Sequence, residues 1–147
     1  MDHENILKLK EVHEFKDRVV MVTELITGAT LLRHIVSQGF LPEPETVHIM
    51  KTLLEALQAL HDKKILHRNL KPENVVLNRT NTGTEIKITA FNFSCSLDSN
   101  EPTTWHISRN ICSKCGTPGY MAPELLMNKS STFAGDVFSM GVILYTW

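Results

Sequence analysis

A long amphipathic segment in the first half of the chain sets the strongest limit on the fold. PEPETVHIMKTLLEALQALHD, residues 42–62, has apolar residues at spacings of three and four. This spacing predicts an α-helix with one buried face, formed by Val47, Met50, Leu53, Leu54, Leu57 and Leu60. The prolines at 42 and 44 suit its first turn. We interpret His48 and His61 as surface or helix-end residues rather than metal ligands.

Shorter elements precede this helix. ILKLKEV, residues 6–12, alternates apolar and polar residues, and RVVMVTEL, residues 18–25, is rich in β-branched residues. Both segments are predicted strands that pair as a hairpin across EFKD. TLLRHIVSQ, residues 30–38, predicts a short helix with Thr30 as N-cap and Gly39 at its C-terminal end.

Short strands and two more helices follow. NVVLN and EIKITAF are predicted strands joined by the turn RTNTGT. The stretch from Ser94 to Gly116 is polar and irregular, and predicts a long loop. MAPELLM and the strongly apolar TFAGDVFSMGVILYTW predict helices. The whole pattern indicates one α+β domain.

Composition excludes several classes of protein. The chain has 147 residues, of which 42% are hydrophobic and 21% charged, as in ordinary globular domains. A net charge of -1 favours neither nucleic acid nor an anionic membrane. No apolar run approaches the roughly 20 residues of a membrane helix. Three cysteines without a secretory signal predict reduced thiols and a cytoplasmic or nuclear protein.

The two ends of the chain suggest an incomplete domain. The folded pattern begins almost at Met1, and the sequence stops at the apolar run GVILYTW. Seven residues that favour burial are unusual at the end of a complete domain, so we expect a truncated one. The alternative is a C-terminal helix docked on its own core.

Four motifs occur in a specific order. HRNLKPENVVL, ITAFNFS, GTPGYMAPE and DVFSMGVILY together resemble the C-terminal lobe of a Ser/Thr protein kinase. IMKTLLEALQALHDKKILHRNLKPENVVL and CSKCGTPGYMAPELL are most similar to the calcium/calmodulin-dependent group, phosphorylase kinase gamma type. The resemblance implies a kinase-like α+β fold, mainly the helical C-lobe. Residues 1–23 would end the N-lobe with two strands, 24–29 would form the hinge, and 30–147 the C-lobe through the helix after APE.

The first motif differs from the family at the position of the catalytic aspartate. Asn69 occupies the position of the aspartate that accepts the substrate hydroxyl's proton. An amide cannot accept a proton at neutral pH. The resemblance implies that His67 packs on the next motif, Arg68 bonds a phosphate on the activation loop, and Lys71 steadies the transferred phosphate. Asn74 would hold a second Mg²⁺, although it and Lys71 could serve only to order the loop.

The second motif also lacks a carboxylate that the family has. The family's D-F-G is Ala90-Phe91-Asn92 here, so the carboxylate that carries the main Mg²⁺ is missing. Phe91 is kept, which fits a packing role. Asn92 replaces a glycine, and Asn tolerates a left-handed backbone better than most residues. The Gly-rich loop, the ATP-binding lysine and its glutamate partner have no counterpart in the chain.

The resemblance also assigns an adenine site. Glu24 to Ile26 match the hinge, Thr23 would be the gatekeeper, and Val76 would lie beneath the purine. The alternative is that these are plain core and strand residues. ATP with Mg²⁺ is therefore expected to bind weakly, if it binds.

Three further residues are implied to shape the site. Thr117 would contact residue 69 as hydroxyl to amide. Glu124 of APE would pair with an arginine from a later helix that the chain does not contain. Asp136 would bond the backbone of His67 and Arg68, or it is an ordinary aspartate of a helix N-terminus.

The long loop holds other candidates. Cys112 and Cys115, with Cys95 and His106, could form a zinc site or a redox pair, but we favour plain activation-segment residues. Its candidate phosphorylation sites, with Arg68 as a partner, are Thr103, Thr104, Ser108 and Ser113.

Three functions compete. The first is a catalytically inactive kinase-like module that binds another protein, such as an active kinase or a substrate protein. The second is a Ser/Thr kinase with ATP binding and residual transfer, and the third is a non-functional truncated gene product. In the family the calmodulin-binding segment lies beyond the position of Trp147, so calmodulin is left open as a partner.

Overall fold

The computed structural model describes residues 2–81, 83–97, 115–127 and 130–147. Its fold is α+β, with short strands and helices in the order expected from the sequence. None of its helices within these ranges is long and apolar enough to cross a membrane. The candidate sites at 103, 104, 106, 108, 112 and 113 lie outside the described residues.

The chain opens with the predicted hairpin. Strand β1 (Leu9–Glu14) pairs antiparallel with β2 (Val19–Thr23) as a two-stranded sheet. Every residue of both strands is exposed. The segment before β1 joins the rest of the fold at Ile6, which is buried and bridges to Ile88.

The predicted first helix is confirmed. Helix α1 (Leu31–Gln38) follows β3 (Ala29–Thr30), and the Thr30 hydroxyl accepts the Arg33 N–H at 3.3 Å as an N-cap. Gly39 ends the helix with a φ of 77°, a left-handed conformation that glycine adopts at low cost.

The long helix α2 (Glu43–Asp62) is the centre of the core. Its buried residues are Ile49, Met50, Leu53, Ala56, Leu57 and Leu60. The predicted face was wrong at its edges, because Val47 is 57% exposed and Leu54 is 45% exposed. Both side chains lie on the flank of the helix, where they line an open groove with Leu144 instead of the core.

A second sheet packs against α2. Strand β4 (Ile65–Leu66) precedes the loop that carries the first motif. Strands β5 (Val75–Thr80) and β6 (Gly83–Ile88) form the predicted hairpin, with β3 on the other side of β5. Strand β7 (Cys95–Ser96) pairs with β4, so the predicted loop from Ser94 begins with a short strand.

The last two helices also match the prediction. Helix α3 (Pro123–Leu126) is a single turn, and α4 (Phe133–Tyr145) contributes Met140 and Ile143 to the core around α2. Asp136 lies in the first turn of α4 and is buried. The core therefore fixes α4 relative to α2, and with it the position of Asp136.

Adjacent leucines on α2 provide a test of the core. Leu53 is 0% exposed and Leu54 is 45% exposed. We expect Leu53→Ala to lower the free energy of unfolding by about 2–5 kcal/mol, because it leaves a cavity. Leu54→Ala, the matched control, should cost less than about 1 kcal/mol. Urea denaturation followed by circular dichroism measures both, and equal losses would contradict this core.

Candidate functional site

A buried carboxylate holds the loop of the first motif in place. Asp136 is 2% exposed. Its Oδ2 accepts the His67 N–H at 2.9 Å, and its Oδ1 accepts the Arg68 N–H at 2.8 Å. His61 Nε2 lies 3.1 Å from the same Oδ2. These contacts join the ends of α2 and β4 to the start of α4.

His61 lies in the last turn of α2, which is one of the two expected alternatives. Its side chain is 16% exposed, so it is mostly buried rather than on the surface. Its ring packs on Phe133, with the centroids 4.6 Å apart. The only sequence signal was its place at the end of α2, and the partner Asp136 is 75 residues away.

Asp136 also holds a strained backbone. Arg68 has a φ of 66°, in the left-handed region. For a residue with a Cβ this conformation costs about 1–2 kcal/mol. The hydrogen bond from the Arg68 N–H to Asp136 offsets that cost. The Arg68 side chain reaches the second motif, where its Nε–H donates to the Phe93 carbonyl at 2.6 Å.

His67 links the two motifs from inside the protein. It is fully buried, and its ring meets Phe91 edge to face with the centroids 4.9 Å apart. Nε2 lies 2.8 Å from the Thr89 carbonyl, and Nδ1 accepts the Asn69 N–H at 3.2 Å. These partners fit the neutral ring with its proton on Nε2. Burial lowers the pKa of His67, and the Thr89 carbonyl and the Asp136 charge only partly oppose it.

Asn69 is held by hydrogen bonds on both sides. Its Oδ1 accepts the Thr117 hydroxyl at 3.0 Å, and its carbonyl accepts the Asn74 Nδ2 at 2.8 Å. The Thr117 contact is hydroxyl to amide, the pairing that the resemblance implies. The half-buried Asn69 amide offers no group that ionises near neutral pH.

Asn74 is tied into the backbone of its neighbours. Besides the bond from its amide to Asn69, its carbonyl accepts both the N–H and the hydroxyl of Thr89, at 2.8 and 3.0 Å. Thr89 was not singled out from the sequence, although it orders both motifs. Lys71 Nζ lies 4.0 Å from the Glu73 carboxylate, and the Lys71 side chain is 21% exposed.

The second motif turns sharply at Ala90. Its φ of 62° and ψ of 56° are left-handed. The short 3₁₀ turn Phe91–Phe93 follows, and Asn92 within it has no positive φ. The residue that adopts the left-handed backbone is therefore Ala90 rather than Asn92. Asn and Asp tolerate this conformation well, so the backbone here is compatible with an aspartate.

The residues of the two motifs do not fit a Mg²⁺ site. Ala90 presents a methyl group, and the Asn74 Nδ2 donates to the Asn69 carbonyl, so Asn74 offers a metal only its amide oxygen. Mg²⁺ prefers carboxylate oxygens in octahedral geometry, and one amide oxygen is insufficient. In the part of the chain that the structure describes, no group of three or more His, Cys, Asp or Glu residues could hold a metal ion.

The cysteines follow a different pattern from the one expected. Cys95 is a free thiol in β7. Cys115 is disulfide-bonded. The expectation of reduced thiols is therefore wrong for Cys115.

The predicted hinge is connected to the second sheet by a buried lysine. Lys87 lies opposite Val76 in the β5–β6 ladder, and its Nζ is 2.9 Å from Glu24 Oε1 and 3.2 Å from Glu85 Oε1. Burial alone would lower the pKa of Lys87, but the two glutamates outweigh it and raise that pKa. The Lys8 N–H and the Lys87 ammonium hold the pKa of Glu24 below its ordinary value.

Lys87 was not recognised from the sequence, where it stands between two isoleucines in EIKITAF.

The candidate adenine residues differ in their surroundings. Val76 is half-buried in β5, and Ile26 is half-buried beside Leu25, which is 87% exposed. Glu24 places its side chain on Lys87. Its backbone N–H donates to the Lys8 carbonyl at 3.0 Å.

Glu124 lies half-buried in α3. Among the described residues no hydrogen bond or ion pair of its side chain is found. The arginine that the resemblance gives it as a partner would come from a later helix.

Comparison with known proteins identifies the family. The protein kinase domain model matches residues 1–147. Calcium/calmodulin-dependent protein kinase type 1 of Macrobrachium nipponense is 37% identical over 145 residues, which is 99% of this chain and 39% of the relative. Calcium-dependent protein kinase 5 of Plasmodium berghei is 40% identical over 145 residues, 99% of this chain and 24% of the relative.

A human relative gives the same result. Serine/threonine-protein kinase H2 of Homo sapiens is 37% identical over 145 residues, 99% of this chain and 36% of the relative. The chain belongs to the protein kinase family, and its relatives are Ser/Thr kinases, as the motif order predicted. It spans about two fifths or less of the length of these relatives.

The clamp by Asp136 predicts a large loss of stability when it is removed. Asp136→Ala leaves the His67 and Arg68 N–H groups without their acceptor, at about 1–3 kcal/mol each. We expect a total loss of about 2–6 kcal/mol in urea denaturation. Asp136→Asn, which keeps one acceptor oxygen, should lose about half as much. Asp62→Ala, at an exposed helix end, is the control. A loss below 1 kcal/mol for Asp136→Ala would refute the clamp.

Buried neutral His67 predicts a stability that falls in acid. Below pH 6.5, its ordinary value, the unfolded chain takes up a proton at His67 that the folded chain resists. The free energy of unfolding then drops as the pH falls, by at most about 1.4 kcal/mol per pH unit, until the lowered pKa is reached. His67→Gln removes this contribution. Urea denaturation at pH 7.5 and 5.5 should show a smaller difference for His67→Gln than for the unmodified chain, and equal differences would contradict the assignment.

Proposed function

We propose that the chain is a catalytically inactive protein kinase-like module that acts by binding another protein. The observation that carries the proposal is the combination of an ordered loop with two missing carboxylates. Asp136, His67 and Phe91 hold the two motifs together. The positions that should accept a proton and bind Mg²⁺ are Asn69 and Ala90.

Each substitution removes a different part of the reaction. With Asn69 no group at that position takes the proton from a substrate hydroxyl, which by itself lowers a rate by about 10²–10⁴. With Ala90 no carboxylate holds the metal that neutralises the phosphates. Both substitutions lie inside the chain, so a longer form of the protein would still carry them.

An exposed apolar surface supports a protein partner. Val47, Leu54 and Leu144 line an open groove of about 420 Å³ between α2 and α4. Each of these side chains is more than two fifths exposed. Apolar side chains grouped in this way are typical of surfaces that contact other proteins.

A residual Ser/Thr kinase is the second candidate. It is favoured by Lys71 and Asn74, which are both retained and lie on the same loop as Asn69. The third reading, a non-functional gene product, predicts that peptides with this sequence are absent from cells. Mass spectrometry of the source cells tests it directly.

A chimera tests the effect of the two substitutions in the context of a longer kinase chain. Residues 1–147 would replace the matching segment of calcium/calmodulin-dependent protein kinase type 1 from Macrobrachium nipponense. We expect no phosphate transfer from labelled ATP above that of the Lys71→Ala chimera. Asn69→Asp combined with Ala90→Asp should raise transfer by at least about 10²-fold.

The outcomes are distinct. Transfer by the unmodified chimera that Lys71→Ala abolishes would refute the inactive module and favour the residual kinase. Ala90→Asp alone is the matched control, since it restores the metal ligand without the base and should stay well below the double variant. Thermal melts of the chimeras check that each one is folded.

A further inference from the structure

An open groove of about 720 Å³ lies between α1, the first two turns of α2 and the turn end of the β5–β6 hairpin. The residues that line it all lie between 27 and 86, in the described part of the chain. It shares no residue with the loop of the first motif or with the apolar groove beside Leu144. We call it the arginine groove, after the two arginines that line it.

The alternation of side chains along β5 places one arginine next to an apolar floor. Leu77 and Arg79 are two residues apart, so they point to the same face of the sheet. Leu77 pairs with Ile86, and Arg79 pairs with Thr84. Leu77 and Ile86 are buried in the core with Ile49 of α2, whereas Arg79 and Thr84 lie beyond the edge of the core and are exposed. The groove therefore has an apolar floor and a cation at its rim.

The second arginine lies on α1. Arg33 and Ser37 are four residues apart, so they lie on one side of the helix, and both line the groove. His34 Nε2 lies 2.8 Å from the carboxylate of Glu45, in the first turn of α2. This contact holds α1 against the start of α2, and so fixes the wall that carries Arg33.

The charges around the groove are unbalanced. Both arginines are exposed, and neither guanidinium has a hydrogen bond or an ion pair within the described ranges. Glu45 is the single carboxylate among the described residues that line the groove, and it lies against His34. Ser37, Gln38 and Asn78 add neutral polar side chains. The groove therefore presents two cations to an incoming ligand.

We propose that the arginine groove binds an extended acidic segment of another protein. Carboxylates of the segment pair with Arg33 and Arg79, because a guanidinium group binds a carboxylate through two parallel hydrogen bonds. Aliphatic side chains of the same segment lie on the floor formed by Ile49, Leu77 and Ile86. The inference rests on the proposed function for the kind of partner, a protein, but not for the absence of catalysis.

A peptide fits this groove better than other anions do. Small molecules bind in cavities that cover most of their surface, whereas this groove is open between three elements. Single-stranded nucleic acid is bound through many cations and through aromatic side chains that stack on the bases. The groove has two arginines, and no Phe, Tyr or Trp is among the described residues that line it.

Fluorescence anisotropy with the 147-residue chain tests the groove. The probe is a labelled peptide of Glu-Glu-Leu repeats, and its controls carry Gln or Lys in place of every Glu. We expect only the Glu peptide to bind, with an affinity that falls as the salt concentration rises, because exposed charge pairs are screened. Equal binding of the Gln peptide, or tighter binding of a labelled single-stranded RNA, would overturn the proposal.

Two substitutions locate the contact. Arg33→Gln and Arg79→Gln should each weaken binding of the Glu peptide about twofold to fivefold, the strength of an exposed charge pair, and together about fourfold to twenty-five-fold. Arg18→Gln, the matched control, makes the same change in the turn between β1 and β2 and should bind like the unmodified chain. Circular dichroism checks that each variant is folded. A folded double variant that binds like Arg18→Gln would place the contact elsewhere and overturn the proposal.

The chimera with calcium/calmodulin-dependent protein kinase type 1 repeats the test in a longer chain. We expect it to bind the Glu peptide with the same dependence on Arg33 and Arg79. A folded chimera that does not bind the peptide would mean that segments outside residues 1–147 cover the groove, and would overturn the proposal. Phosphate transfer by a chimera that still binds the peptide would refute the inactive module and leave the arginine groove standing.

Discussion

The carboxylate of Asp136 is the contact on which the rest of the site depends. It lies in the first turn of α4 and binds two consecutive backbone N–H groups at the start of the loop. Buried N–H groups need an acceptor, and a buried carboxylate needs donors, so each satisfies the other. The same carboxylate meets His61 at the end of α2. The end of α2 and the loop that follows β4 are thereby fixed to α4, which lies much further along the chain.

The contacts that order the loop of the first motif do not require a carboxylate at position 69 or 90. The contacts that shape it come from Asp136, His67, Thr89 and Phe91, through backbone amides, a buried neutral ring and an aromatic contact. None of them needs an ionisable group at positions 69 and 90. Asn69 even adds bonds of its own, to Thr117 and Asn74. The loop is therefore ordered with Asn69 and Ala90 in place, without a carboxylate at either position.

The sheet of β1 and β2, unlike the rest of the fold, has no buried apolar face. The second sheet and the helices bury their apolar residues against α2, whereas both strands of the hairpin are exposed throughout. The hairpin is connected to the core by Ile6 and by the contact of Glu24 with the buried Lys87. Lys87 remains charged there because two glutamates face it. This part of the fold is therefore connected to the core by the Ile6 bridge and by the charge pairs of Lys87.

The sequence by itself determined the elements and the family. The 3.6-residue period of α2, the Thr30 cap, the Asn and Gly turn between β5 and β6, and the order of four motifs are local features that a short window of residues specifies. That residues 69 and 90 carry no carboxylate was also visible, because Asn69 and Ala90 are read directly from the sequence. Tertiary structure alone decided which flank of α2 is exposed, since the angle between packed elements sets where the core ends. It also decided the partners His61 with Asp136 and Lys87 with Glu24, and the left-handed backbone at Ala90. Such contacts join residues far apart in the chain, and no local pattern contains the distance between them.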